Sequence, residues 1–259
     1  MPRYFAKISY VGTAYNGWQV QDNTPRTIQQ VMNENISALL NEKIVFTGCG
    51  RTDTGVHARE FFAHFDSEKK LDDPHLDWAY KCSSVLPNDI VVHKIIAVKK
   101  DAHARFDAIS RTYNYFITQQ RDPFLRDRAY FIYADLDLEK MNEACMILFE
   151  HHDFSCFSKT NTQVRTNKCK ITEALFKKKD PDETGAEQIV FTVTADRFLR
   201  NMVRAIVGTM LEIGKNKITK NDLVKIIEGK SRSEAGVSVP AHGLFLTSVK
   251  YDWDKIKSV

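Results

Sequence analysis

The sequence is poor in cysteine: five among 259 residues (Cys49, Cys82, Cys145, Cys156, Cys169), with no C-x-x-C pair among them. An odd, dispersed set supports neither a disulfide framework nor a thiolate zinc site, and it fits reduced thiols in a cytosol. No stretch approaches the roughly 18 consecutive apolar residues of a membrane span. The start MPRYFAKISY has no basic residues leading into an apolar run, so a secretory signal is not expected. G-x-x-x-x-G-K-[ST], G-x-G-x-x-G and G-x-S-x-G are all missing, so nucleotide hydrolysis, dinucleotide redox chemistry and α/β-hydrolase chemistry lose their usual supports. Charge of one sign is also lacking, with 37 Lys+Arg against 33 Asp+Glu.

What is present is an ordinary globular composition, 43% hydrophobic and 27% charged. At about 150 residues per domain the length gives one or two domains. Each can bury a core without metal or disulfide staples. The net charge of +4 is unevenly placed: residues 1–103 balance, and residues 104–259 carry all of it. Within the second half, 159–179 holds seven basic residues against Glu173 alone. That cluster suits either phosphate neutralisation or a solvated surface.

Periodicity gives the same order twice. Arg3–Tyr10 alternates as a strand, with Tyr4, Ala6, Ile8 and Tyr10 on one face. Thr27–Leu40 carries an apolar stripe at helical spacing, with Thr24 and Pro25 offering a cap and first turn. Lys43–Thr47 and Glu60–Phe65 read as strands, Asp73-Pro74 opens a helix running to about Ser84, and Ile90–Val98 closes the unit as a strand. The second half reads as strand 112–118, helix 138–150, strands 169–177 and 189–195 around a turn at 180–185, helix 198–213, a shorter helix capped by Thr219 with Gly229 past its end, and strand 244–251. The expected fold is α/β (α+β): two tandem β-α-β-β-α-β units of the ferredoxin-like, RRM-like kind. They would form a central mixed, largely antiparallel sheet with a catalytic cleft between the halves, the domains being 1–103 and 104–259.

One loop stands out. Gly48-Cys49-Gly50-Arg51-Thr52-Asp53-Thr54-Gly55-Val56-His57-Ala58 sets a cation, a hydroxyl and a carboxylate in succession among three glycines, which permit sharp turns and close approach. Asp53 reads as an Asx-turn residue or as a carboxylate held near an apolar wall of Phe61, Phe62 and Phe65. His57 reads as a hydrogen-bonded structural histidine, and His152-Asp153-Phe154 as a structural turn with no zinc-like ligand set beside it. Arg197, Arg200 and Arg204, spaced i, i+3 and i+7, would share one helical face, either solvated or functional. Tyr113 lies in a strand where RRM-like sheets present aromatics to bases, although a strand tyrosine is also a common core residue.

Gly50–Ala58, GRTDTGVHA, resembles the signature loop of TruA-type tRNA pseudouridine synthases. Seven further segments agree in order along nearly the whole chain. They are Tyr10-Val11-Gly12-Thr13 with Gly17-Trp18-Gln19, Leu86–Ile90, His103–Ala108, Arg111–Tyr115, His152-Asp153-Phe154 with Phe157, Met202–Gly208 and Ala241–Leu246. Thr54 and Cys49 depart from the usual pattern, and both are small. The resemblance implies an isomerase that breaks the N1–C1′ bond of a uridine and rejoins the base through C5. Asp53 would be the nucleophile, with Arg51 and Arg204 as further catalytic residues, Arg204 pairing with the carboxylate. Tyr113 would stack on the flipped uracil, Leu244 would line its apolar side, and Arg200 would meet phosphate. The resemblance further implies uridines 38–40 of the tRNA anticodon arm as targets, a homodimer, a cytoplasmic location, and no metal, small-molecule cofactor or membrane. A catalytically silent tandem RRM-like RNA-binding module and a pseudouridine synthase with other RNA targets are the alternatives; the first would not need the Arg51-Thr52-Asp53 loop.

Overall fold

The computed structural model describes residues 1–22, 24–159, 166–180 and 187–258. Arg165 of the basic stretch and most of the 180–185 turn fall outside these residues. The chain forms two compact units, Met1–Ser110 with Leu246–Val259, and Arg111–Phe245. Both are mixed α/β, built on largely antiparallel sheets.

The first unit runs β1 (Arg3–Tyr10), α1 (Ile28–Leu40), β2 (Thr47–Gly48), β3 (His57–Asp66), α2 (Trp78–Ser84) and β4 (Ile90–Val98). In the second unit, β5 (Ala108–Thr118) is followed by β6 (Tyr130–Phe131), α3 (Leu138–Glu150), β7 (Ile171–Lys179), β8 (Gln188–Ala195), α4 (Met202–Gly214) and α5 (Lys220–Gly229). The chain then returns to the first unit through β9 (Leu244–Tyr251) and α6 (Trp253–Ile256). Within the first unit the strand order is β4-β1-β3-β9, with β2 also on β3, and within the second it is β5-β8-β7. Strand β6 pairs in parallel with β5. The division expected at 103/104 places the last strand with the second half, whereas its residues from Leu246 cluster with the first unit, because β9 continues that sheet beside β3.

Several expected boundaries move, each for a local reason. The cap of α1 is Thr27, whose hydroxyl accepts from Gln30 N at 3.2 Å, and not Thr24. Arg26, at φ +46°, breaks any helical run from Pro25. The strand expected at 43–47 shrinks to Thr47–Gly48 because α1 side chains take its backbone groups. Ser37 Oγ holds Ile44 N, Asn33 Oδ1 accepts from Phe46 N, and Gln29 Nε2 donates to Phe46 O. Asp73 closes an Asx turn on His75 N instead of opening α2, which Asp77 caps. Helix α4 starts at Met202 because Asn201 sits at φ +68°. The left-handed residue ending α5 is Lys230, not Gly229.

The expected α5 cap is present as a full capping box between Thr219 and Asp222. Thr219→Ala is expected to lower stability by about 1 kcal/mol in chemical denaturation.

Strand β1 buries its expected face and one residue of the other. Tyr4, Ala6, Ile8 and Tyr10 are buried, and so is Phe5, which packs against Tyr251 and Trp253 at 5.5 and 6.2 Å between ring centroids. Nearby, His64 is buried and its Nδ1 accepts from Ala104 N at 3.1 Å, so the ring must be neutral to keep the bond. Burial, then His103 and Arg3, pull its pKa down from 6.5 to about 4. Above 6.5 folded and unfolded rings are both neutral; between 6.5 and about 4 only the unfolded chain takes up a proton, so stability falls as pH falls. The stability difference between wild type and His64→Gln is therefore expected to shrink by on the order of 2 kcal/mol between neutral pH and the lower end of that window, read from denaturant melts.

All five cysteines are free and buried. Burial pushes the thiols of Cys82, Cys145, Cys156 and Cys169 up to about 12. No helix among the described residues is long and apolar enough to cross a membrane.

Candidate active site

In the first unit the site is the loop joining β2 to β3, and its shape is set by the segment after β1. Trp18 N donates to Thr52 O at 3.1 Å, Gly55 N donates to Tyr15 O at 3.4 Å, and Gly12 N donates to His57 Nδ1 at 3.0 Å. The hydroxyls of Tyr10 and Thr52 bond at 2.8 Å, and Val56 N closes a turn on Asp53 O at 3.1 Å. Asp53 is thus bracketed on both sides by backbone contacts and sits partly buried, while Arg51 is exposed. His57 is buried and serves as an acceptor for the loop's neighbour, the structural role expected of it.

The glycines act differently from one another. Gly55 has φ +79° and supplies the turn. At Gly48 a Cβ would lie 2.6 Å from Trp18 Nε1, so this glycine serves close packing. At Gly50 a Cβ would meet none of the described atoms within 4 Å, so neither turn nor contact explains it. The expected apolar wall reduces to Phe61, stacked on Trp18 with centroids 4.2 Å apart. Phe62 points to the other sheet face against Tyr251, and Phe65 lies further along β3 against Phe46, as strand alternation and length require. The indole Nε1 of Trp18 is buried without a hydrogen-bond partner among the described residues.

In the second unit, Tyr113 lies on β5 opposite Val193, partly buried, with its ring edge-on to Phe198 at 5.1 Å. Two residues on, Tyr115 is fully buried and donates to Pro240 O at 2.8 Å. Burial raises the pKa of this phenol, keeping it a donor. A Cβ at Gly243 would lie 2.8 Å from the Tyr115 ring, so glycine lets the chain pass there and bring Leu244, 5% exposed, to the head of β9. Arg204, on α4, donates from Nε to Val239 O at 2.7 Å, and its carbonyl accepts from Val239 N at 3.2 Å. The 236–240 segment reaches this helix because Gly208 leaves room: a Cβ there would lie 1.9 Å from Val237 O. One strap therefore ties β5, through Tyr115, to α4, through Arg204. Gly236, in the strap itself, is matched to it: a Cβ there would lie 2.7 Å from Thr209 N.

Arg197 and Arg200 do not share a helical face with Arg204, because both precede the Asn201 break. Arg197 donates to Thr166 O at 3.2 Å, and Arg200 is exposed, its carbonyl accepting from Lys159 N at 3.1 Å. His152-Asp153-Phe154 is the expected turn, with Asp153 Oδ1 accepting from Ser155 N and Oγ.

Comparison with known proteins places the chain in a family. A family profile described as tRNA pseudouridine synthase matches residues 6–107 and 144–252. Among curated relatives, tRNA pseudouridine synthase A of Porphyromonas gingivalis is 47% identical over 254 residues, 98% of this chain and 99% of that protein. The protein of the same description from Bacteroides fragilis is 48% identical over 250 residues, 96% of each chain. The Bacillus licheniformis counterpart is 40% identical over 249 residues, 95% of this chain and 97% of that one. The matches span both units and include both the Asp53 loop and the Arg204 helix: this chain belongs to the tRNA pseudouridine synthase family.

Proposed function

We propose that this protein converts uridine to pseudouridine in tRNA, at uridines 38–40 of the anticodon arm, with Asp53 as the nucleophile. The observation that carries the reading is the pinned Asp53 loop: contacts on both sides fix the backbone that bears this carboxylate, on a chain that belongs to this family. A uracil inside an RNA arm cannot be reached until it is flipped out, at a cost of about a few kcal/mol. A pre-set carboxylate then divides one difficult bond exchange into two easier steps. Arg51 and Arg204 are the cations assigned to the reaction, Arg200 to phosphate, and Tyr113 and Leu244 to the uracil. Isomerisation is redox-neutral and needs neither nucleotide nor metal as a reactant. The protein acts as a homodimer, so light scattering should give twice the 29.8 kDa chain mass.

The test is to map pseudouridine in unmodified tRNA by carbodiimide-adduct primer-extension stops. Stops at 38–40 support the reading; stops elsewhere overturn the target, and no stops overturn the reaction. Tyr113→Phe keeps the stacking ring, which is worth about 1–3 kcal/mol, so tRNA affinity should hold and any loss should fall on the rate. A large loss of affinity at unchanged turnover contradicts the role given to Tyr113.

A further inference from the structure

The segment that pins the Asp53 loop is itself held from its far side. Tyr15 is 1% exposed, yet its hydroxyl donates to Asp89 Oδ1 at 2.5 Å. The guanidinium carbon of Arg26 lies 5.1 Å from the centre of the same ring. Asp89 is tied back to β1, its carbonyl accepting from Val11 N at 2.9 Å. Asn16 lies between, its backbone N donating to Arg26 O at 3.2 Å. Arg26 meets these contacts only by adopting φ +46°, a conformation costly for any residue with a Cβ. Capping of α1 does not demand it, because Thr27 is the cap. A glycine would satisfy the backbone with less strain, so the strain maintained here serves the side chain.

We propose that Tyr15, oriented by Asp89 and Arg26, is a positioning residue for the isomerisation: its carbonyl holds Gly55 N, and through that turn it sets the aim of the Asp53 carboxylate. The proposal rests on Asp53 being the nucleophile. Position is worth rate and not affinity, because misplacing a reacting group by about 1 Å can cost about 10²-fold with binding intact.

The experiment compares wild type, Tyr15→Phe, Arg26→Gly and Asp53→Asn for single-turnover pseudouridine formation, tRNA affinity by filter binding, and melting temperature. Tyr15→Phe and Arg26→Gly are expected to lose about 10- to 100-fold in rate with affinity held within about twofold. Arg26→Gly should melt at or above the wild-type temperature, because glycine relieves the left-handed strain. That combination, slower chemistry in an equally stable protein, is one that packing alone does not produce. If Asp53→Asn is inert while both other variants react at the wild-type rate, the positioning proposal is wrong and the nucleophile stands. If Asp53→Asn reacts normally, the nucleophile assignment itself fails. Lost affinity at an unchanged rate in Arg26→Gly would make that arginine an RNA contact and overturn the proposal. A rate loss in Tyr15→Phe that only tracks a lower melting temperature, with Arg26→Gly reacting normally, would make Tyr15 a packing residue and overturn it as well.

Discussion

Asp53→Asn is expected to abolish pseudouridine formation, with a fall of about 10⁴-fold or more in single-turnover rate, while tRNA affinity stays within a few-fold. Val56 N binds the backbone carbonyl of Asp53, and Trp18, Tyr15 and Gly12 engage its neighbours. Asparagine matches aspartate in size and leaves these backbone contacts in place. What disappears is the charge and the nucleophilic oxygen pair, which an amide does not replace. The measurement pairs adduct mapping with filter binding on the same tRNA. A variant that forms product at the wild-type rate removes Asp53 from the chemistry, and one that loses binding in parallel makes it a recognition residue.

Gly17→Ala should also be damaging, to stability as well as to rate, although Gly17 touches no reacting atom. Gly17 has φ +81°, and a Cβ there would lie 2.5 Å from Thr52 O and 3.1 Å from the carbonyl carbon of Asp53. Left-handed backbone costs an ordinary residue about 1–2 kcal/mol before any clash is counted. Because the clashing atoms are backbone, relief must come from moving the Asp53 loop itself. We expect a stability loss of about 2–4 kcal/mol and a rate loss of about 10²-fold or more. Gly50→Ala is the stability control: its Cβ has open space, so denaturation should differ from wild type by no more than about 0.5 kcal/mol. Equal stability for Gly17→Ala and Gly50→Ala would show that loop and clamp are not in the contact described.

Much of the framework was legible because its signals are local. Helix 138–150 and strand 244–251 fall at their expected ends, Asp137 capping the first and the short Ala241–Gly243 turn leading into the second. Errors arose where distant side chains competed for backbone groups. The strand at 43–47 was lost to Ser37, Asn33 and Gln29, a helix face reaching across that no alternation pattern can display. The arginine stripe at 197, 200 and 204 failed because one asparagine adopted a left-handed conformation that its identity permits but does not require. The Asp53 loop was visible as a motif, yet its clamp was not. Gly12 and Gly17 could be seen, but that they exist to let Val56 and Thr52 approach is a fact of tertiary contact. The Val239 strap on Arg204 was hidden for the same reason.

The buried, reduced cysteines turn the protein into its own stopwatch. A thiol that is covered reacts with an alkylating probe only during an opening event, so each modification rate counts how often that neighbourhood comes apart. Cys49, fully buried within the Asp53 loop, times that loop; Cys145 on α3 times the second unit's core. Trapping followed by mass spectrometry would then rank the opening energies of these regions in the unmodified wild-type chain, with no engineered label. If Cys49 is trapped well before Cys145, the loop breathes independently of the fold that carries it.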